Sequence, residues 1–133
     1  MTGIGLATKD VLGQTLSVGE LARLAGVAPS AVRFYERHGL VTAYRTSGNQ
    51  RRFRRDAACR IRVARVAQQV GMTVREIAEA FETLPDDWGP DDWKRLGDRL
   101  VAEGEARIRR LQRVVAEIGT SEVLCEVDPR IGP

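Results

Sequence analysis

Residues 16–53 read LSVGELARLAGVAPSAVRFYERHGLVTAYRTSGNQRRF, and the punctuation of that stretch decides the fold. Ser17 followed by Glu20 is a capping box, in which each side chain satisfies the other residue's backbone amide at a helix start. Val18, Leu21, Ala22 and Leu24 or Ala25 then recur at helical spacing until Gly26 breaks the pattern. Pro29 suits a first helical position, because it has no N–H to leave unsatisfied and its φ is already helical. Ala31, Val32, Phe34 and Tyr35 carry this second helix to Gly39. Two helices of about two turns each, joined by a tight glycine-containing turn, form a helix-turn-helix.

Working outward, Leu40–Arg45 is short and rich in strand formers. Ser47, Gly48 and Asn49 supply a turn, and Gln50–Phe53 resumes an extended run. The expectation is a small two-stranded wing carrying Arg45, Arg51, Arg52 and Arg54. Asp56 is placed to cap a third helix with Ala57, Ile61, Ala64, Val66 and Val70 as its apolar set, ending at Gly71. Thr73 and Glu76 form a second capping box, opening a fourth helix with Val74, Ile77, Ala78 and Phe81. The predicted head spans 15–83, with a flexible tail over 1–14 before it. Residues 84–90, LPDDWGP, form a turn-rich hinge.

Asp91 and Asp92 then open the longest helical stretch, 91–118. Trp93, Leu96, Leu100, Ile108, Leu111, Val115 and Ile118 form its seam. Steps of three and four hold at both ends, but Leu100 to Ile108 advances eight residues across Gly104, so the stripe drifts in its middle. A narrow apolar stripe on an otherwise charged helix requires a partner, and a second copy of the chain suits it better than a fold-back onto its own head. The predicted architecture is mainly α: a winged helix-turn-helix head of four helices and a two-stranded wing, then a long dimerisation helix. Residues 119–133 are a short tail holding Cys125, a possible effector region.

The net charge of +3 conceals a division of charge along the chain. Residues 17–75 carry 12 basic residues against Glu20, Glu36 and Asp56, a local charge of +9, whereas 76–133 carry 8 against 14, a local charge of −6. Only Lys9 and Lys94 among the basic residues are lysine. Arginine's planar fork suits phosphates and guanine edges, although genomic base composition also biases toward it. Five arginines fall within 45–55, and concentrated like charge is costly unless a counter-charge such as phosphate arrives. The competing reading is a basic edge strand that repels sheet pairing. On the second helix, Ser30 and Arg33 would approach base edges and phosphates, with Tyr35 near the DNA backbone. The competing reading there is a solvated face on which Glu36 pairs with Arg33 or Arg37.

The run SVGELARLAGVAPSAVRFYERHGLV resembles the start of MerR-family winged-helix regulators. RTSGNQRRFRRD, AEAFETLP and DDWKRL are similar to the SoxR-like branch of that family. The likeness covers roughly residues 16–118. It implies a homodimer whose long helices pair as an antiparallel coiled coil and whose heads bind a palindromic promoter element. It also implies that bound double-stranded DNA is bent and untwisted so that RNA polymerase can use an over-long promoter spacer. Carried over by position, Ser30, Arg33, Tyr35, Arg45, Ser47, Gly48, Asn49, Arg51 and Arg52 match the family's DNA-contacting elements.

One departure bears on the signal. SoxR-like sensors hold a two-iron, two-sulfur cluster on four closely spaced cysteines after the long helix, where this chain has Cys125 alone, so no such cluster is expected. The metal-sensing branch needs at least a pair of cysteines around the same loop, and the sole histidine, His38, lies in the head, so no metal site is expected either. Cys59 reads as a small core residue. Cys125 reads as an inert tail residue, a single-thiol sensor, or part of a small-molecule pocket. Phe81, Trp88 and Trp93 either line such a pocket or pack the junction between head and long helix.

With no secretory signal or membrane-length apolar run, a cytoplasmic protein with no membrane partner is expected. No nucleophile constellation, metal triad or phosphate loop points to an enzyme. Besides a promoter-specific regulator, an architectural or recombination accessory protein without an inducer fits the same winged head.

Overall fold

The computed structural model describes residues 15–130, so the predicted 1–14 tail lies outside the described residues. Within them run β1 (Thr15–Leu16), α1 (Val18–Ala25), α2 (Pro29–Arg37), β2 (Ala43–Arg45), β3 (Arg51–Arg54), α3 (Ala57–Gln69), α4 (Val74–Glu82), α5 (Pro90–Thr120) and a 3-10 turn at Leu124–Glu126. The chain divides into two units, residues 1–88 and 89–133.

Both capping boxes of the head form. The Glu20 amide donates to Ser17 Oγ at 3.1 Å while the Ser17 amide donates to Glu20 Oε1 at 2.9 Å. Thr73 and Glu76 repeat the exchange at 3.1 and 2.8 Å. Gly26 ends α1 at φ 74°, a left-handed conformation that a residue with a Cβ adopts only at a cost. The core is filled by Leu21, Val32, Leu40, Phe53, Ile61 and Ile77, each at most 1% exposed. Burial at that level is worth about 1.5–3 kcal/mol per side chain before the opposing entropy.

The wing has three strands rather than two. The order is β1-β3-β2, antiparallel throughout, with Leu16 opposite Phe53 and Ala43 opposite Phe53 on its other side. A strand of only Thr15 and Leu16 is too short to show a two-residue period; its pairing is decided by β3, distant in sequence. Asp56 does not cap α3 with its side chain. Its backbone is already helical (φ −65°, ψ −13°), and its carboxylate lies 3.4 Å from Arg54 Nη2 instead. The inward face of α3 is Ala57, Ile61, Ala64 and Ala67, whereas Val66 is 51% exposed, because the helical period carries it off that face.

In the second unit α5 is 31 residues long, about 46 Å at the helical rise. Gly89 precedes it, and the Gly89 amide donates to Asp92 Oδ2 at 2.9 Å. Exposure changes along this helix. Leu96 is buried with Trp93 and Leu100 half-buried, whereas Val101, Ile108, Leu111, Val115 and Ile118 are 48–63% exposed. The exposed row passes through Val101 rather than Leu100, and Gly104 takes the next position. Counted through 101, 104, 108, 111, 115 and 118, the steps are strictly three and four. Among the described residues no helix is long and apolar enough to cross a membrane.

Candidate nucleic-acid interface

The helical period separates the two sides of α2. Val32 (0% exposed) and Tyr35 (6%) face the core, while Ser30, Arg33 and Arg37 are exposed. No side chain caps α2: Ala28 holds the N-cap position and Pro29 follows. Pro29 has no N–H and the Ala31 amide bonds the Ala28 carbonyl at 2.9 Å, so the Ser30 amide is the first-turn donor that no side chain caps, a group that a phosphate at a helix start can accept from. Tyr35 differs from the remaining α2 candidates. Its hydroxyl donates to Gln68 Oε1 of α3 at 2.8 Å, so its one proton is committed inside the head rather than offered to a phosphate.

The wing tip is a three-residue loop closed by the Thr46 amide on the Gln50 carbonyl at 2.9 Å, with the Asn49 amide on the Thr46 carbonyl at 2.8 Å. Asn49 sits at φ 61°, the left-handed position such loops require and asparagine tolerates. Ser47, Gly48 and Asn49 are all exposed there. Arg45 stands directly opposite Arg51, an unfavourable like-charge pair that the structure relieves on both sides. Arg45 Nη1 turns onto the Asn49 carbonyl at 3.1 Å, and Arg51 Nη2 turns onto Glu36 Oε2 of α2 at 2.8 Å.

The other β3 arginines are likewise held by partners within the chain. Arg52 donates through Nε to Thr15 Oγ1 at 2.9 Å and through Nη2 to the Thr15 carbonyl at 3.0 Å, with Glu20 at 3.8 Å. Arg54 bonds Asp87 at 2.8 Å. The clustered charge is thus partly neutralised by Glu20, Glu36, Asp56 and Asp87, and phosphate is not its sole counter-charge. Glu36 pairs with the wing rather than with Arg33 or Arg37. Sequence spacing did not reveal Glu20, Glu36 and Asp87 as partners, because each is distant in sequence from the arginine it meets; the one available signal was that Glu36 is the single acid on α2.

The candidate effector residues divide between the units. Phe81 and Trp88 meet edge-on with centroids 4.9 Å apart, and the Arg60 guanidinium lies 4.6 Å from the Trp88 ring centroid. Arg60 Nη2 also donates to the Asp86 carbonyl at 2.6 Å. One face of Trp88 is therefore occupied by a cation of the chain itself. Trp93 belongs to the second unit, half-buried in the first turn of α5. Cys59 is half-buried on α3 and burial pushes its thiol pKa up, whereas Cys125 is exposed in the 3-10 turn. Two thiols on two separate units do not supply the four ligands of an iron–sulfur cluster. Among the described residues no group of three or more His, Cys, Asp or Glu is arranged to hold a metal ion.

A helix-turn-helix with an arginine-rich, sheet-backed wing defines a DNA-binding protein of the winged-helix class. The chain matches the family described as MerR HTH family regulatory protein over residues 16–84, and that described as MerR, DNA binding, over residues 59–120. It is 41% identical over 102 residues, 75% of this chain and 69% of the other, to an HTH-type transcriptional activator SoxR homologue of Chromobacterium violaceum. Over 120 residues, 90% of this chain and 81% of the other, it is 29% identical to the mercuric resistance operon regulatory protein of Pseudomonas fluorescens. The fold is shared with HiNmlR, a MerR family regulator lacking the sensor domain, at a TM-score of 0.53 and 20% identity, covering 80% of this chain and 86% of that one. The chain belongs to the MerR family. It is a DNA-binding transcription regulator and not an enzyme.

Proposed function

We propose that this regulator acts as a homodimer on a palindromic promoter element, distorting the DNA between its two heads so that RNA polymerase can use the promoter, in the cytoplasm and under control of an inducer. The observation that carries the reading is the row Val101, Ile108, Leu111, Val115 and Ile118, which lies 48–63% exposed along one side of α5 at coiled-coil spacing. An apolar row of this kind is stable in water when a second chain covers it, and an antiparallel pairing would set two heads apart at a fixed spacing. Each head then places α2 in a major groove, with Ser30 and Arg33 at base edges and phosphates. Arg45, Ser47, Gly48, Asn49, Arg51 and Arg52 contact the flanking backbone. The similarly folded HiNmlR has been seen bound to promoter DNA, which supports this placement.

Footprinting on the region upstream of the chain's own coding sequence tests it. The expected result is a protected palindrome with enhanced cleavage at its centre, where the duplex is deformed. Uniform coating of unrelated DNA with no central distortion would replace promoter control by an architectural role.

A further inference from the structure

We infer that Glu36 is a specificity-determining residue of the DNA interface, acting by holding Arg51. This rests on the reading above that the wing contacts phosphate. Glu36 is the one acid on α2 and has Arg33 and Arg37 beside it, yet its carboxylate takes Arg51 of β3, fifteen residues away in sequence, at 2.8 Å. The two partners are not equally exposed: the Glu36 side chain is 18% exposed and that of Arg51 43%. The carboxylate is the tucked-in end of the pair and the guanidinium the outward end. A guanidinium carries five N–H donors, so this single bond leaves the rest of the fork available while fixing its direction. Arg33, Glu36, Arg37 and Arg51 line one open cleft of the head, so the pair stands among the exposed arginines of α2.

Two physical consequences act in opposite directions. A negative charge set among the arginines lowers the attraction of any phosphate backbone, whatever its sequence. A guanidinium already held in place loses less rotamer freedom on binding, which favours only a duplex that brings a phosphate to the position where the fork is aimed. Glu36 thereby weakens indiscriminate binding more than it weakens binding to the cognate site.

The test uses the full chain and two duplexes, one selected by the wild-type protein from a random-sequence pool and one scrambled from it, titrated across a salt series. Glu36→Gln should tighten the scrambled duplex by about two- to fivefold, the range expected for freeing a surface ion pair. It should also steepen the salt slope by about 0.9. The selected duplex should gain less or lose, so the ratio of the two affinities falls. Glu36→Asp keeps the charge but shortens the reach. It should leave the slope at its wild-type value and still lower the ratio. In an Arg51→Ala background, Glu36→Gln should no longer change the ratio. If Glu36→Gln shifts both duplexes by one common factor, or leaves the slope unchanged while Arg51→Ala makes it shallower, Glu36 is an ordinary surface ion-pair partner and the inference is overturned with the interface intact. If Arg51→Ala itself leaves the slope unchanged, Arg51 touches no phosphate and that part of the interface reading is overturned as well. Thermal melts of each variant show that the head remains folded.

Discussion

Replacing Tyr35 with phenylalanine separates two roles that the same side chain was offered by sequence and by structure. The substitution deletes one hydroxyl, whose bond to Gln68 Oε1 is 2.8 Å long. Tyr35 is 6% exposed, so the ring keeps its packing and no cavity of consequence opens. Gln68 is exposed, so its amide returns to water and leaves no buried orphan. The loss is then that of one ordinary hydrogen bond without a desolvation penalty, about 0.5–1 kcal/mol. For a domain of this size that corresponds to roughly 2–8 °C in melting temperature. For comparison, emptying the site of the fully buried Phe53 by mutation to alanine is expected to cost about 3–5 kcal/mol. The assay pairs a thermal or urea melt with DNA titrations across a salt series. Tyr35→Phe should lower stability by the stated amount and leave DNA affinity at its wild-type value; the salt slope stays unchanged in either case, because a neutral hydroxyl releases no counterion. An undiminished melting temperature together with weaker DNA binding would refute the reasoning, since the hydroxyl would then be a phosphate contact and not an internal tie.

Leu111→Asp places a carboxylate in the middle of the exposed α5 row; sedimentation should report a shift from dimer to monomer, and affinity for a palindromic site should fall on the order of a hundredfold with the loss of bivalence. An unchanged mass would remove this row from the dimer contact. The hydrogen bonds to the Ser17 backbone and side chain hold the Glu20 carboxyl below its usual pKa. The stability this contributes is fully present above the ordinary carboxylate range and is lost as pH falls through the lowered value. Acid melts of Glu20→Gln, which removes the titrating group, should therefore show a weaker dependence on pH in that range than wild type, and a parallel curve would contradict the box. Cys125 is exposed, whereas Cys59 is half-buried with its pKa raised by burial. Alkylation at neutral pH should label Cys125 first and reach Cys59 only on unfolding or at higher pH; equal rates in peptide mass analysis would contradict the burial.

How legible each feature was depended on how far apart in sequence its parts lie. Ser17 with Glu20, Thr73 with Glu76, and the stops at Gly26 and Gly39 are signals within one helical turn, and the helices begin and end close to where those residues place them. The turn at Ser47–Asn49 was readable for the same reason. The α5 seam was readable as a stripe because helical periodicity is local. That Leu96 is buried while Val101, Ile108, Leu111, Val115 and Ile118 stand exposed was not, since exposure depends on what packs against the helix.

What the sequence alone determined is the local grammar: a helix opened by a capping box and one opened by proline around a glycine turn, an arginine-rich hairpin and a long amphipathic helix. These follow from backbone hydrogen bonding, glycine and proline stereochemistry and periodicity, all of which act over a few residues. Tertiary structure decided which groups answer the wing's charge. It added β1 as a third strand, took the Tyr35 hydroxyl for Gln68, bound Arg52 to Thr15, and gave Arg51 to Glu36. Each of those pairs joins separate elements that only the packed core brings within hydrogen-bond distance, and no local pattern encodes that proximity.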